Sequence, residues 1–542
     1  MNTVVNLAGS NPTGTLVYEE EDDDSASSEY ECLAKPHSVW MKTTFGRNKS
    51  LRAKNIQYKM LTADDNYRLL VFSIPNKMKL KILFLSALTI LIATTSMAQD
   101  LADEVDLFMG VHGNSNCVIG PQLPHGSVNP SPDTPKGGQN GYDENDKIRG
   151  FSQLHVSGIG WSRYGQILLS PQNGFSAKET GHDSPKANEI AKPYCYAATL
   201  TRYGIRTELS PTHHGVFYRF TFNKPNNNNI LLDLRHNIPQ DIVPIVKGTF
   251  NGGEINYNEK QKLISGYGIY AGGFGSKQPY RVYFAMKIDD PDATVTITNN
   301  DTKALYAKIG VKAKTVNASI AISMSSVRNA TKYLEVELED HSFEQVCDAA
   351  RKQWNRTLGK IVFSGANKEQ RQLFYTSLYH SYVMPRLRTG DNPGWKSNEP
   401  HLDDHYCVWD TWRTKYPLMT LLNPSFTAAT VRSFIDRYKH DGLCTATYTA
   451  SMEWPENQGG DDVDNIIADA ILKGVKGFDY KQAYEVMKNN ALTQRDSTYR
   501  RLGWIPGEHK MMSCSYTLEY AYNDDRVAVI AEMMGDTETA RC

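Results

Sequence analysis

The chain has 542 residues, of which 40% are hydrophobic and 22% are charged, as in an ordinary globular protein. This length is enough for two or three domains and a sizeable core. Its 59 basic and 60 acidic residues nearly cancel, so no overall electrostatic field favours nucleic acid or a strongly charged partner.

The first 98 residues carry a targeting signal. The segment MKLKILFLSALTILIATTSMAQD, which starts at Met78, has two early lysines, an apolar run and small residues before the cleavage point. It predicts a signal peptide over residues 78–98, since the apolar run is too short for a comfortable membrane span. We therefore expect export to the periplasm or the extracellular medium, without an integral membrane domain. A signal belongs at the amino terminus, so residues 1–77 are interpreted as a spurious or disordered extension. The alternative is a cytoplasmic tail with a single membrane anchor.

Residues 99–340 alternate apolar and polar side chains with the period of β-strands. The segments GVFYRFTF (215–222), RVYFAMKID (281–289) and NASIAISMSS (317–326) show this alternation. Turn sequences such as KPNNNN and GGFGS separate the strands. Half-buried strands joined by such turns predict an antiparallel β-sandwich.

The period then changes to that of α-helices. Ser342 and Gln345 have the spacing of a capping box, which predicts a helical linker over residues 341–370. Apolar side chains at helical spacing follow in QLFYTSLYHSYVMP (372–385), DDVDNIIADAILKG (461–474) and DDRVAVIAEMMG (524–535). Residues 371–542 are therefore predicted to form an α-helical domain.

An aromatic and charged cluster stands out in HYCVWDTWRTKYPLM (405–419). Trp409, Asp410 and Arg413 supply an aromatic face, a carboxylate and a guanidinium, which suit the C–H face and the hydroxyls of a sugar. The structural alternative is a helix start whose aromatic rings pack inward. In that interpretation Asp410 pairs with Arg413 or caps the following turn.

Acidic side chains cluster at two other places. Asp461 and Asp462 follow a Gly-Gly turn, where they suit capping of the next helix or, as the alternative, hydrogen bonding to a substrate. Glu519 and Asp524 offer the paired carboxylates of a glycosidase acid and base, although Asp524 equally suits a helix cap. The spacing of these acids does not match a calcium loop.

Two further features carry candidate chemistry. His155 and Trp161 lie in a glycine-rich stretch of the sandwich, where loops often face a neighbouring cleft, although His155 equally suits a satisfied buried histidine. The eight cysteines include no CxxC pair, which argues against a zinc ribbon or a thioredoxin-type site. Free buried thiols are the default interpretation, although some cysteines can pair in an exported protein.

Five segments, in this order, resemble those of glycoside hydrolase family 92, the exported bacterial α-mannosidases. They are GFSQLHVSGIG, FYTSLYHSYVMP, WDTWRTKYPLMTLLNP, IIADAILKGVKGFD and TLEYAYNDD. The resemblance covers the chain from about Asp103 onward. It implies a multidomain β + α architecture, in which the β-sandwich and a helical linker precede an (α/α)6 barrel. It also implies an active site where sandwich and barrel meet.

The same resemblance implies an activity and a set of contacts. It implies release of terminal α-linked mannose from a glycan or oligosaccharide with inversion, assisted by Ca2+. It implies substrate binding by Trp409, Asp410 and Arg413, with His155 and Trp161 on the leaving-sugar side. The stretch GIGWSRYGQ stands where many members have a GTGC-type turn followed by acidic residues. The linkage, α-1,2 or a related exo-linkage, therefore stays open.

Three family motifs do not occur in residues 1–542: the E-G-N-x-W type of the general acid, the G-N-E type of the calcium ligands and the G-N-x-D-C-G-Q type of the base. A twelve-helix barrel needs on the order of 200 residues, more than residues 371–542 supply. We therefore expect an incomplete barrel, with the acid, the base and the calcium ligands beyond residue 542.

Two other classes of protein remain open. A non-catalytic glycan-binding protein would bind mannosides weakly, without calcium and without hydrolysis. Another carbohydrate enzyme with a sandwich and an α-barrel, such as a phosphorylase, would need an anion pocket and phosphate-dependent turnover. If Glu519 and Asp524 are a working acid and base, Glu519→Gln should abolish activity.

Overall fold

The computed structural model describes residues 3–6, 100–112, 116–238, 247–275, 278–299, 305–455 and 459–541. These residues belong to one compact unit. The predicted signal peptide and nearly all of the segment before it lie outside the described residues. Among the described helices, none combines the length and the apolar character that a membrane crossing needs.

The amino-terminal part is built from strands. In chain order they are β1 (Thr3–Asn6), β2 (Ser131–Asp133), β3 (Gly150–Ser152), β4 (Leu168–Asn173), β5 (Lys186–Lys192), β6 (Cys195–Leu200), β7 (Ile205–Pro211), β8 (Gly215–Phe222), β9 (Asn228–Asp233), β10 (Thr249–Asn258), β11 (Leu263–Ala271), β12 (Tyr280–Ile288), β13 (Thr294–Asn299), β14 (Leu305–Val311) and β15 (Thr315–Ser323).

Two antiparallel sheets pack face to face, as predicted. An eight-stranded sheet has the order β10-β11-β12-β15-β8-β7-β6-β5, and a six-stranded sheet has the order β13-β14-β9-β4-β3-β2. Phe151 of the six-stranded sheet contacts Tyr196 and Tyr218 of the eight-stranded sheet, with ring centroids 6.2 Å and 6.4 Å apart. The alternation read from the sequence therefore reflects burial of one face of each strand between the sheets.

The rest of the chain is mainly helical. Its elements are α1 (Val327–Glu337), α2 (Phe343–Leu358), β16 (Ile361–Ser364), α3 (Lys368–His380), β17 (Arg386–Leu387), β18 (Leu402–Asp403), α4 (Val408–Thr411), α5 (Lys415–Leu422), α6 (Pro424–Asp441), β19 (Tyr448–Thr449), β20 (Met452–Glu453), α7 (Val463–Leu472), α8 (Tyr480–Asn489), α9 (Ser497–Leu502) and α10 (Ser513–Met534). In addition, β1 pairs in parallel with β16.

The helical part begins earlier than the predicted boundary at residue 341. Helix α1 lies within the range assigned to the sandwich, and the Ser326 side chain caps it by accepting a hydrogen bond from the Asn329 amide. Leu334, Val336 and Leu338 alternate with glutamates and imitate a strand in the sequence. However, Val336 is 68% exposed, while the other two pack under the eight-stranded sheet. Tertiary packing therefore stabilises a helix here, although the local pattern favours a strand.

The other helical predictions agree more closely. The capping box of Ser342 and Gln345 is present at the start of α2. Helix α7 buries the predicted apolar face and ends just before Gly474, which has a φ of 68°. Helix α10, however, begins at Ser513, so Asp524 lies inside it and caps nothing.

Candidate active site between the sandwich and the helical part

The predicted aromatic and charged cluster divides between two sides of the short helix α4. Trp409 Nε1 donates a hydrogen bond to Glu519 Oε1 at 2.9 Å, and the Arg413 guanidinium donates to the same oxygen at 2.5 Å. Asp410 and Thr411 instead line a cavity. The three predicted sugar ligands therefore do not converge, because Trp409 and Arg413 are engaged by Glu519 of α10.

A cavity of about 450 Å³ lies where the two parts of the chain meet. The sandwich contributes residues 117 and 157–159, and the helical part contributes residues 380, 383–385, 404–408, 410–411 and 415–416. This volume falls within the range of about 300–1,000 Å³ that is common for small-ligand sites. The junction therefore has room for a ligand of the size of a sugar.

Several polar groups on the cavity wall come from the chain between β18 and α5. The Tyr406 hydroxyl and His405 Nε2 are buried and have no hydrogen-bond partner among the described residues. Lys415 Nζ donates to the Met384 carbonyl oxygen at 2.5 Å. Burial lowers the pKa of Lys415 to about 7 and lowers the pKa of His405 well below its ordinary value. Such a wall favours a hydroxyl-rich neutral ligand, because hydroxyls both donate and accept hydrogen bonds.

Asp410 is the exposed carboxylate of this wall. Partial burial raises its pKa, while a hydrogen bond with Cys407 and the positive charge of Arg413 lower it. A carboxylate in this position accepts hydrogen bonds from sugar hydroxyls, and such charge-assisted bonds are stronger than neutral ones.

A buried ion-pair network adjoins the cavity. Asp404 Oδ2 lies 3.1 Å from Arg386 Nε and 3.2 Å from Arg388 Nη2, and Asp404 Oδ1 accepts a hydrogen bond from the Tyr164 hydroxyl at 2.6 Å. Arg386 also donates to the backbone carbonyl of His155 in the sandwich. The network therefore connects the two parts of the chain. The sequence analysis missed it, although the arginines of PRLR and the aspartates of LDD were its available signal.

Asp462 and Glu519 form a second polar cluster, inside the helical part. Asp462 directly precedes α7, but its side chain makes no capping hydrogen bond. Its Oδ1 accepts from Asn465 and Asn523 instead, at 2.9 Å and 3.2 Å. Asp462 Oδ2 and Glu519 Oε2 are buried without a hydrogen-bond partner among the described residues. Burial, together with the charge of Glu519, raises the pKa of Asp462 to about 7, against the opposing effect of the Asn523 hydrogen bond.

Asp461 and Asp524 are bound by a buried arginine. Arg495 Nε lies 3.1 Å from Asp461 Oδ2, and its guanidinium also pairs with Asp524. The Tyr499 hydroxyl donates to Asp524 Oδ2 at 2.8 Å. The structure therefore gives both aspartates protein partners, and neither lines the cavity.

Glu519 and Asp524 are not arranged as an acid–base pair. They lie five positions apart on α10, and residues at this spacing do not share one helix face. The negative charge of Glu519 instead acts on Asp462, whose pKa it helps to raise. The sequence analysis named all three residues but did not indicate that Asp462 and Glu519 influence each other.

His155 lies in the sandwich core and is fully buried. Its Nε2 lies 2.8 Å from Asp133 Oδ1, and its Nδ1 lies 2.8 Å from the Asn129 carbonyl oxygen. His236 Nε2 contacts the other oxygen of Asp133 at 3.1 Å. Burial raises the pKa of Asp133, but the two histidines outweigh it and hold this pKa below its usual range. The predicted sugar contact of His155 is therefore replaced by the alternative, a satisfied structural histidine.

Trp161 belongs to an aromatic patch beside the cavity, formed with Phe274, Tyr406 and Trp454. Trp161 is 38% exposed, and its ring lies 5.6 Å from that of Phe274. Phe274 in turn contacts Tyr406 at 5.6 Å and Trp454 at 5.0 Å. Because Tyr406 also lines the cavity, the patch extends the site with rings that suit the apolar face of a sugar.

The residues in the described ranges do not fit the predicted calcium ion. No three of their His, Cys, Asp or Glu side chains form a group that could hold a metal. Calcium takes six to eight oxygen ligands, whereas the Asp462 and Glu519 cluster leaves two carboxylate oxygens unpartnered. We therefore derive no step of the chemistry through a metal ion.

Comparison with known proteins identifies both parts of the chain. Residues 104–335 match the glycosyl hydrolase family 92 N-terminal domain, and residues 329–542 match the glycosyl hydrolase family 92 catalytic domain. An uncharacterized secreted glycosidase of Arthroderma benhamiae is 25% identical in an alignment of 498 positions, which covers 80% of this chain and 60% of that protein. The chain thus spans about three fifths of the length of this curated relative.

Solved structures agree with the family models. The family GH92 alpha-mannosidase BT3965 of Bacteroides thetaiotaomicron, in complex with mannoimidazole, has a TM-score of 0.73 and 26% identity over 81% of this chain and 62% of its own. The family GH92 inverting mannosidase BT2199 of the same organism has a TM-score of 0.68 and 26% identity, over 81% of this chain and 63% of its own. The predicted fold class, a β-sandwich followed by helices of an (α/α)6 barrel, is confirmed. The chain belongs to glycosyl hydrolase family 92.

Proposed function

We propose that this protein hydrolyses terminal α-linked mannose in glycans and that the cavity of about 450 Å³ holds the terminal sugar. One observation carries the proposal: Asp410 presents an exposed carboxylate to a sugar-sized cavity at the junction of the two family domains. The α-mannosidase BT3965, whose structure contains mannoimidazole, supports mannose as the sugar.

The walls of the cavity supply complementary hydrogen-bonding groups. Asp410 accepts hydrogen bonds from sugar hydroxyls, and the Tyr406 hydroxyl and His405 Nε2 are buried polar atoms that a hydroxyl would satisfy. The aromatic patch is placed to hold the next sugar of the glycan against Trp161.

We also propose inversion of configuration, which the name of the mannosidase BT2199 supports. An inverting glycosidase places two carboxyl groups about 6.5–9.5 Å apart across the sugar to admit water. Neither Glu519 nor Asp524 lines the cavity, so we assign the acid and the base to neither of them. Calcium assistance and the linkage remain proposals from the family resemblance. Export is a further proposal, supported by the signal sequence at residues 78–98 and by a relative described as secreted.

Calorimetry with mannoimidazole tests the binding site. Asp410→Asn should weaken binding at least tenfold, because a hydrogen bond to a charged group is worth about 1.5–3 kcal/mol. Asp469→Asn is the matched control, since Asp469 pairs with Lys473 on the surface of α7 and should leave the affinity unchanged. Equal affinity of Asp410→Asn and the parent protein would contradict the assignment of the cavity.

Turnover of an α-mannoside, followed by proton NMR, tests the reaction. The first product should be β-mannose if the configuration inverts. Weak, calcium-independent binding of the mannoside without mannose release would favour the glycan-binding alternative. Turnover that requires inorganic phosphate would favour a phosphorylase.

A further inference from the structure

A second cavity, of about 500 Å³, lies at another place where the sandwich meets the helical part. It shares no lining residue with the cavity of about 450 Å³ that contains Asp410. Strands β11 and β12 and the chain at the end of β15 form one wall, and residues 393–394 and 450–452 of the helical part form the other. Its volume also falls within the range that is common for small-ligand sites. The proposed mannosidase reaction gives this cavity no ligand.

Buried aspartates hold both walls of this second cavity in place. Asp391 accepts a hydrogen bond from the Ser325 hydroxyl at 2.6 Å and another from the Met324 amide at 2.8 Å. On the opposite wall, the Ser451 amide donates to Asp403 Oδ1 at 2.9 Å, and the Ser451 hydroxyl donates to Asp403 Oδ2 at 3.1 Å. Because Met324, Ser325 and Ser451 all line the cavity, its shape is fixed before any ligand enters.

The turn between β19 and β20 has an unusual backbone at this cavity. Thr449 pairs with Met452, so Ala450 and Ser451 form the two-residue turn of a hairpin. Their φ angles are 50° and 58°, in the left-handed region that residues with a Cβ rarely adopt. Glycine or asparagine usually occupies such positions. Backbone strain of this kind is concentrated at ligand sites, and here it places Ala450, Ser451 and Met452 on the cavity wall.

Arg281 gives the cavity its charge. Of the twelve described residues that line the cavity, Arg281 alone is charged. Its guanidinium lies 5.8 Å from the centroid of the Tyr267 ring and forms no ion pair within the described part of the chain. The Tyr267 ring in turn contacts that of Tyr283, which lines the cavity, with centroids 5.6 Å apart. This wall therefore presents an unpaired guanidinium beside a tyrosine ring.

We propose that this cavity binds a sugar that carries a carboxylate, that is, a uronic acid. A guanidinium matches a carboxylate with two parallel hydrogen bonds, and such charge-assisted bonds are stronger than neutral ones. The apolar face of the sugar then packs on the Tyr283 ring. The cavity that contains Asp410 has the opposite character, because Asp410 presents a carboxylate to its ligand. The two cavities therefore select different sugars, and the proposal does not depend on the reaction at Asp410.

Calorimetry with methyl glucuronide and methyl glucoside tests the proposal, because the two probes differ only in the carboxylate. The intact protein is titrated with and without saturating mannoimidazole, so that binding at the two cavities is measured separately. Methyl glucuronide should bind equally well in both titrations, and methyl glucoside should bind at least about tenfold more weakly. Arg281→Ala should weaken the binding of methyl glucuronide at least about tenfold, which is about 1.4 kcal/mol.

Arg202→Ala is the matched control for Arg281→Ala. Arg202 is also an exposed arginine of the sandwich whose guanidinium lies over a tyrosine ring, that of Tyr203, but it does not line the cavity. This substitution should leave the affinity for methyl glucuronide unchanged. Because both arginines are exposed, neither variant should change the melting temperature by more than a few degrees, so lost binding would not reflect unfolding.

Inorganic phosphate distinguishes a sugar site from a plain anion site. Tyr283→Ala should weaken the binding of methyl glucuronide and leave that of phosphate unchanged, because only the sugar has a face that packs on the ring. Equal affinity for phosphate and methyl glucuronide would overturn the assignment to a sugar. The proposal would also be overturned by equal affinity for the two glycosides, by unchanged binding in Arg281→Ala, by displacement of methyl glucuronide with mannoimidazole, or by no binding of methyl glucuronide.

Discussion

Asp462→Asn should stabilise the protein at pH 8 and leave its stability nearly unchanged at pH 4. Asp462 is fully buried, and its Oδ2 has no hydrogen-bond partner among the described residues. An asparagine keeps the oxygen that accepts from Asn465 and Asn523. It also replaces the unpartnered, ionisable oxygen with an uncharged amide nitrogen.

The magnitude follows from the pKa of the wild-type carboxyl. Burial raises this pKa from 3.8 to about 7, so between these values the folded protein keeps a proton that the unfolded chain has released. The free energy of unfolding therefore falls as the pH rises through this window, by up to about 1.4 kcal/mol per pH unit. The total cost in the wild-type protein above pH 7 is at most about 4 kcal/mol, and the neutral asparagine removes it.

Denaturant unfolding at pH 4.5 and pH 8 measures this difference. The gap in unfolding midpoint between Asp462→Asn and the parent protein should widen strongly at the higher pH. Asp469→Asn, on the exposed side of the same helix, should show a gap that changes little. An equal loss of stability in Asp462→Asn at both pH values would refute the reasoning, because the carboxyl would then be ionised and well solvated in the folded state.

Three other substitutions separate structural from functional roles. Burial lowers the pKa of Lys415 to about 7, so between pH 7 and pH 10 the unfolded chain binds a proton that the folded protein does not, and the free energy of unfolding rises with pH. Lys415→Met should abolish this rise, which melting curves at pH 7 and pH 9.5 measure. His155→Ala should cost about 3–5 kcal/mol in denaturant unfolding by leaving a buried carboxylate short of a partner, while mannoimidazole affinity of the folded protein stays unchanged. Gly459→Ala should shift the tryptophan fluorescence, because Gly459 has a φ of 80° and the added Cβ would overlap the Trp409 ring. Gly474→Ala is the control. Gly474 has a φ of 68° and lies in open space, so this substitution should lower stability without that shift.

The sequence predicts secondary structure correctly where the local pattern of apolar residues agrees with the tertiary packing. The strands of RVYFAMKID and the capping box of Ser342 and Gln345 are found where they are predicted, because one face of each element is buried. The strand prediction is wrong for the segment that contains Leu334, Val336 and Leu338. Its alternation matches a strand, but its cap and its packing make it a helix. Periodicity cannot resolve such a conflict, because the surface that receives the helix comes from distant strands.

The sequence indicates which residue types form the site, but it does not indicate which partners their side chains contact. Trp409 lies in α4 and Arg413 lies two positions after the end of α4, and both reach Glu519. Nothing local indicates that Glu519, more than a hundred positions away, is their partner. The same holds for Arg386 and Asp404, whose pairing across the junction appears only when the two parts of the chain pack together.

Two aspartates on the cavity wall have different roles for a physical reason. Asp404 is buried between two arginines and the Tyr164 hydroxyl, so its charge is already compensated by the protein. Asp410 is exposed to the cavity and keeps its capacity to accept hydrogen bonds from a ligand. Asp404→Asn should therefore lower the melting temperature, because it leaves buried guanidinium charges short of a partner, and should change affinity only through the shape of the wall. Asp410→Asn should lower the affinity for mannoimidazole at an unchanged melting temperature. If both variants lost stability and affinity in the same proportion, the cavity wall would be acting as one structural unit and Asp410 would have no separate role as a ligand.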